Sequence, residues 1–238
     1  MKTALCLSGF PRCIEYSYPY LHKYLISELN PDIYFYGYSD VDRGLDEGKI
    51  IDILKPKDFV IRKFDEGVQD EIWSVYGTDQ IINVDLNIVP MNILSQYYNM
   101  FNSNKLKSNS GVEYDLVIRA RTDYFFYRKI DSSELNLSEN TVYIPNVWDF
   151  EGVSSGFAYG DSKSMDIYSD LFNHMRDYNT VQGVRFHQES LKGFHIRKHL
   201  KREVVLNHYW WDLQDFATNN FQDSYINDVR NPSRRLWI

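Results

Sequence analysis

Short apolar runs alternate with helical patterns along the first part of the chain. The apolar runs cover 3–8, 32–38 and 58–64, and helical patterns extend from the first run to about residue 29 and over 47–54. This alternation predicts an α/β fold with a doubly wound, mostly parallel central sheet flanked by helices. Later helices are predicted over 67–77, 92–107, 162–178 and 187–200, and later strands over 141–145, 156–159 and 203–208. From Trp210 onward the pattern predicts an aromatic, irregular tail.

The segment 114–126 combines a buried strand pattern with charge. Leu116, Val117 and Ile118 form an apolar run, and Arg119, Arg121 and Asp123 follow at alternate positions. Because a charged side chain at the end of a core strand is costly unless it is paired or used, the segment predicts a polar cleft that binds an anion, a metal or both. The alternative is a structural ion-pair network that caps the sheet.

Three polar segments are predicted to meet at one edge of this sheet, because ligands in open α/β sheets bind outside the carboxyl ends of the strands. They are Ser8 to Arg12 after the first strand, Ser39 and Asp40 after the second, and 119–123. The first loop, with Ser8, Gly9 and Arg12, could bring backbone amides and a guanidinium to a diphosphate. It is neither GxGxxG nor GxxxxGK[ST], so an ordinary strand-to-helix turn is the alternative.

Several carboxylates are candidates for chemistry. Asp123 is placed to help hold Mg²⁺ or Mn²⁺ between diphosphate oxygens, with Asp149, Glu151 or His208 as candidate further ligands. Glu189 begins a predicted helix and could act as a general base, or could merely complement the helix dipole. His195 and His199 have the spacing of a metal pair, but their basic neighbours favour a solvated face.

Composition narrows the class of protein. The 238 residues, 43% of them hydrophobic, suffice for one large domain, and no linker-like segment divides them. The net charge of −7 argues against nucleic acid as a partner. Two cysteines, Cys6 and Cys13, and no apolar stretch typical of a signal peptide or membrane span indicate a cytoplasmic protein. The C-terminal run 234–238 could make peripheral contact with a membrane surface or a partner, and a loose or docked tail is the default interpretation.

Four stretches of sequence resemble a family of GT-A-like glycosyltransferases. They are ALCLSGFPR at 4–12, SQYYNMFNSNKLK at 95–107, YDLVIRARTDYFF at 114–126 and GFAYGD at 156–161. Proteins of this kind occur in bacterial surface-polysaccharide clusters, including WavE-like lipopolysaccharide proteins, and in large DNA viruses and phages. The resemblance spans most of the chain and implies one GT-A-like domain over 1–238, with a nucleotide-sugar-binding half (1–127) and an acceptor-binding half (128–238).

The resemblance also implies roles for individual residues. Ser8, Gly9 and Arg12 would lie at the nucleotide-sugar phosphates, with Gln96 and Asn104 on the helix beside them. The Arg-x-Arg-x-Asp at 119–123 would occupy the place of the Asp-x-Asp motif, with Asp123 at the metal, and Glu189 matches a glutamate of a late helix. Two departures are Arg121, in place of the first aspartate, and Ser154-Ser155-Gly156, in place of Asn-Asp-Gln.

The function expected from these residues is transfer of a sugar from a nucleoside diphosphate sugar to a hydroxyl of a glycan acceptor. Arginines or a metal would stabilise the charge on the departing diphosphate, and Glu189, Asp149 and Glu151 are the candidate bases, in that order. One alternative is a sugar-phosphate nucleotidyltransferase. The other is a catalytically inactive carbohydrate-binding or assembly protein with the same fold.

Overall fold

The computed structural model describes residues 1–77, 81–84, 88–126, 128–135, 137–145 and 152–200, and the backbone of 202–206 and 211–213. Its strands are β1 (Thr3–Gly9), β2 (Asp32–Ser39), β3 (Asp58–Lys63), β4 (Leu116–Arg121), β5 (Tyr124–Phe126), β6 (Thr141–Pro145), β7 (Phe157–Gly160), β8 (Arg202–Leu206) and β9 (Trp211–Leu213). Its α-helices are α1 (Ile14–Leu21), α2 (Ser27–Leu29), α3 (Glu47–Leu54), α4 (Glu66–Tyr76), α5 (Pro90–Asn109), α6 (Ser162–Ser169), α7 (Met175–Thr180) and α8 (Gln188–His199).

A seven-stranded sheet forms the centre of the described chain, in the order β3-β2-β1-β4-β7-β6-β8. The four strands β3, β2, β1 and β4 are mutually parallel, β7 is antiparallel to both of its neighbours, and β8 is parallel to β6. The expected α/β class, with a mostly parallel sheet of Rossmann-like kind flanked by helices, is confirmed. Strands from both 1–127 and 128–238 belong to this sheet.

The two faces of the sheet carry separate hydrophobic cores. Leu5 and Leu7 of β1 point toward one core, which includes α1 and α3, while Ala4 and Cys6 point toward the other, which includes α4, α5, α6 and α8. This division follows from the two-residue period of a strand buried on both faces. Arg119 of β4 alternates with Ile118 and Ala120, so its side chain enters the α5 side.

Local signals in the sequence account for where the helices begin. Asp46, Asp65 and Asp161 cap α3, α4 and α6 by accepting a hydrogen bond from the backbone three residues later, and Pro90 occupies the first turn of α5. The predicted first helix runs through α1, a π-helical turn (His22–Ile26) and α2. The predicted helix 162–178 runs through α6, a 3₁₀ turn (Asp170–His174) and α7.

The prediction of an irregular tail from Trp210 onward is wrong at one point. Trp211–Leu213 forms β9, which pairs antiparallel with β5 outside the main sheet. A three-residue strand whose partner lies about ninety residues earlier leaves too short a pattern to be detected from sequence. None of the described helices is both long enough and apolar enough to cross a membrane.

Candidate functional site

The carboxyl ends of β1 and β4 lie side by side, and the loop after β1 is bonded to the turn after β4. Ser8 and Arg121 are direct partners in the parallel ladder. In the turn, Thr122 donates its hydroxyl to the carbonyl of Phe10 at 2.8 Å and accepts a hydrogen bond from Ser17 Oγ at 2.5 Å on its own carbonyl. The predicted meeting of the first loop with 119–123 is therefore confirmed.

The first loop turns sharply at its start. Gly9 has φ +102°, a conformation that side chains disfavour, and Arg12 has φ 26° and is exposed to solvent. Phe10 packs against Tyr38 at the end of β2, with ring centroids 4.9 Å apart, and against Phe64 beyond β3, at 5.3 Å. The strand ends therefore carry an aromatic cluster beside a loop that exposes a guanidinium.

The predicted segment Ser39–Asp40 also lies at this edge, directly after β2. Asp40 closes a short turn through two backbone hydrogen bonds with Leu45, and its carboxylate lies 3.6 Å from Nε of Arg43. These contacts show that Asp40 serves to form the turn after β2.

Arg121 and Asp123 form a bidentate ion pair. Nε and Nη2 of Arg121 donate to the two carboxylate oxygens of Asp123 at 2.7 and 2.6 Å. The Asp123 side chain is 6% exposed and that of Arg121 is 25% exposed. Burial opposes the charge on Arg121, but the carboxylate outweighs burial and raises the pKa of the guanidinium above its usual value. The Nη1 hydrogens of Arg121 are not used by this pair, so the guanidinium keeps donors for a further acceptor.

Arg119 has a different environment from Arg121. It is 2% exposed, and its Nη1 donates to the carbonyl of Ser155 at 2.8 Å and to that of Gly156. Burial lowers the pKa of Arg119, although the side chain keeps hydrogen-bond acceptors. A guanidinium enclosed in this way holds the loop before β7 and does not reach solvent. The expectation that Arg119 would meet the donor phosphates gives way to a structural role in positioning this loop.

Gly156 marks a close approach in the same loop. A Cβ atom added there would lie 1.4 Å from Oη of Tyr124 and 2.4 Å from its Cζ. Tyr124 belongs to β5, which follows the Arg121–Asp123 turn. The loop before β7 is therefore packed directly against the strand that leaves the site.

Gln96 and Asn104, both expected on the helix beside the phosphates, have different surroundings along α5. Gln96 donates from Nε2 to Oγ of Ser155 at 2.9 Å, so it joins the loop held by Arg119. Asn104 lies eight residues further along α5, about 12 Å away along the axis, and donates to Asp166 of α6 at 2.7 Å. The structure thus brings Gln96 to the site and leaves Asn104 with Asp166.

Glu189 lies in the first turn of α8 and is 3% exposed. Its Oε1 accepts a hydrogen bond from Gln188 Nε2 at 2.5 Å, and its Oε2 lies 3.5 Å from Nε2 of His187. The backbone carbonyl of Glu189 accepts a hydrogen bond from Val153 at 3.2 Å. The same loop, 152–156, therefore contacts the candidate base at one end and Arg119 at the other.

Sequence reasoning missed a buried polar group beneath this loop. Tyr97 of α5 donates its hydroxyl to the carbonyl of Gln188 at 2.6 Å and thereby fixes the start of α8. Lys192 is fully buried, with Nζ 3.9 Å from the ring centroid of Tyr168 and 4.9 Å from that of Tyr97. Burial lowers the pKa of Lys192 well below its usual value, and the nearby Arg119 charge acts in the same direction. The sequence signal for the burial of Lys192 is its spacing: it lies four residues from both Gln188 and Ile196 and therefore on the same face of the helix.

Both cysteines are enclosed near the site. Burial raises the pKa of the Cys6 thiol to about 12. Burial, together with the charge of Asp123, raises the pKa of the Cys13 thiol to about 12, while Arg12 and Arg121 oppose the shift. Neither cysteine is suited to act as a nucleophile near neutral pH.

The described residues do not fit a divalent-metal site. Among them, no group of three or more His, Cys, Asp or Glu side chains is arranged to hold a metal ion, and both oxygens of Asp123 accept hydrogen bonds from Arg121. Asp149, Glu151 and His208 lie outside the described residues. The expected Mn²⁺ or Mg²⁺ stays a prediction.

No protein-family model matches the chain, and no curated protein sequence matches it.

Proposed function

We propose that the protein is a glycosyltransferase that moves a sugar from a nucleoside diphosphate donor to a glycan hydroxyl. The observation that supports this most is the position of Arg121. Its partly exposed guanidinium lies at the carboxyl edge of a parallel sheet, beside the loop that carries Gly9 and Arg12. Two cations at this edge suit a ligand that carries two adjacent phosphates.

The leaving group is where these arginines would act. As the bond between the anomeric carbon and the diphosphate oxygen breaks, its electron pair goes to that oxygen and negative charge builds on the diphosphate. Arg121 and Arg12 would stabilise this charge more strongly in the transition state than in the bound donor. Asp123 would act through Arg121 by fixing the plane of the guanidinium and directing Nη1 toward the phosphates.

The acceptor hydroxyl must lose a proton as it attacks the anomeric carbon. Glu189 is the candidate base in the described chain, because it lies in the first turn of α8 and its backbone carbonyl accepts a hydrogen bond from Val153 of the loop 152–156. Asp149 and Glu151 remain the other candidate bases. Phe10 and Phe64, both partly buried and packed on the buried Tyr38, supply aromatic faces at the same edge on which a nucleobase could pack.

The second candidate function is a carbohydrate-binding or assembly protein without turnover. It is favoured by the Arg121–Asp123 pair, which occupies part of the guanidinium and both oxygens of the carboxylate. Such a protein would bind a nucleotide sugar or a glycan and release nothing from it.

The test is release of nucleoside diphosphate from UDP-, GDP- and dTDP-linked sugars, with and without Mn²⁺. Release by the wild-type protein that is lost in Arg121→Gln supports the transferase. Binding of a donor without release supports the second candidate. Release of pyrophosphate from a sugar phosphate and a nucleoside triphosphate would instead identify a nucleotidyltransferase.

A further inference from the structure

A surface groove runs along the outer face of α8. Ser190, Phe194, Arg197 and Lys198 line one wall, at the spacing that places side chains on one face of a helix. Gln182 and Val184 of the preceding loop line the other. The groove has a volume of about 530 Å³, within the range of about 300 to 1,000 Å³ of small-molecule sites.

The chain around this groove has the opposite charge balance to the whole protein. Among residues 175–200, four basic side chains lie outside the core, Arg176, Arg185, Arg197 and Lys198, against one acidic side chain, Asp177, whereas the chain has a net charge of −7. A local excess of positive charge on an acidic protein attracts anionic ligands to this segment.

The groove also has the mixed chemistry of a sugar site. Phe194 contributes a half-buried ring, and Lys198 lies 5.7 Å from the centroid of that ring and 4.9 Å from that of Tyr178. Ser190 and Gln182 add polar groups, and Lys198 Nζ lies 3.3 Å from the Gln182 amide oxygen. An apolar ring face beside hydrogen-bonding groups and a cation fits a saccharide that carries a negative charge.

The groove begins at Ser190, the residue after the candidate base in α8. Ser190 directly follows Glu189, and Nη2 of Arg197 lies 3.5 Å from the carbonyl of Gly152, in the loop that contacts Glu189. Ser190 and Lys198 are eight residues apart, so the groove follows α8 for about 12 Å. A ligand along it would place one end at Ser190, in the first turn of α8, and its charged group near Arg197 and Lys198.

We propose that this groove binds an anionic saccharide as the glycan acceptor, with its carboxylate or sulfate group near Arg197 and Lys198. The acceptor role rests on the proposed transferase function, whereas binding of the saccharide does not. Uncharged glycans are then poor ligands, because they gain the ring contact with Phe194 but no charge-assisted hydrogen bond.

The test is calorimetric titration of the intact protein with trigalacturonate, a heparin-derived tetrasaccharide and neutral maltotriose at low salt. The variants are the double change Arg197→Gln with Lys198→Gln, and the control Lys105→Gln, which removes an exposed lysine lying 5.8 Å from the ring of Phe101 on α5. We expect at least one anionic saccharide to bind the wild type and to bind the control with the same affinity. Its affinity for the double variant should be lower by a factor of about ten or more.

Three results would overturn the proposal that the groove binds an anionic saccharide. They are no binding of either anionic saccharide, equal affinity for maltotriose, and an equal loss of affinity in the control variant. Donor turnover, measured separately as nucleoside diphosphate release, distinguishes the two proposals. Saccharide binding without release rejects the transferase and leaves the groove, and release without saccharide binding rejects the groove alone.

Discussion

The ion pair between Arg121 and Asp123 allows a quantitative test by a double-mutant cycle. Removal of one partner from a fully buried pair costs about 3–5 kcal/mol of unfolding free energy. In Asp123→Asn, the cost falls to about 2 kcal/mol because a quarter of the Arg121 side chain already contacts solvent. In Arg121→Gln the cost is about 3 kcal/mol, because the uncompensated carboxylate is 6% exposed.

The double variant, Arg121→Gln with Asp123→Asn, replaces two charges by two amides that can still hydrogen bond. We expect it to lose only about 2 kcal/mol, which gives a coupling energy of about 3 kcal/mol between the two sites. Urea denaturation of the four proteins, fitted with a common slope, measures this quantity. A coupling energy below about 0.5 kcal/mol would refute the reasoning, because additive changes mean that the two groups do not interact.

Three further predictions concern the surroundings of the site. Gly156→Ala should lower the unfolding free energy by about 2 kcal/mol or more, because the new methyl overlaps Tyr124, and Tyr124→Leu should recover part of the loss in urea denaturation. Burial lowers the pKa of His195 to about 2. Only the unfolded chain therefore gains its proton as pH falls below about 6.5, and stability should fall by about 2 kcal/mol between pH 6.5 and 5 from this group. His195→Gln should reduce that slope, and His22→Gln, on an exposed part of the π-helical turn, should not. Lys192→Met should remove the gain of stability that the wild type shows between pH 7 and 9.5, because a lysine with a lowered folded-state pKa is protonated more in the unfolded chain; an unchanged gain would contradict the buried position.

Most of the fold could be predicted from local pattern. The helix 47–54 and the strand 141–145 have the predicted bounds, because capping by Asp46 and a short buried run are local signals. β9 escaped prediction because its formation depends on pairing with β5, a contact between residues far apart in sequence.

The site was less accessible to prediction than the fold. The rule for carboxyl ends of parallel strands correctly brought the first loop to Arg121. Spacing alone made Arg119 and Arg121 look equivalent, since alternate strand residues share a face. Their difference arises from the loop 152–156, which covers Arg119 and leaves Arg121 partly exposed. That covering is a tertiary contact with no trace in the segment itself.

Asn104 and Lys192 illustrate two further limits. Asn104 belongs to a motif that seemed to serve one site, but the length of α5 carries it to Asp166. Lys192 was not predicted as a site residue, and only the packing of Tyr97 and Tyr168 around it shows its burial. Because polar and apolar residues are mixed along α8, its sequence does not show which face of the helix is buried.

The central claim is that Arg121 and the loop after β1 bind the diphosphate of a nucleotide sugar. Its most direct measurement is the dissociation constant of UDP, GDP and dTDP, determined by calorimetry for the wild type, Arg121→Gln and the control Lys57→Gln. Lys57 pairs with Asp32 at 2.6 Å near the amino ends of β2 and β3, so the control removes a paired cation from the opposite edge of the sheet. We predict that one of the nucleotides binds the wild type and Lys57→Gln with equal affinity. Its affinity for Arg121→Gln should be lower by a factor of about ten or more. Equal affinity of Arg121→Gln and the wild type, or no binding of any of the three nucleotides, would contradict the claim.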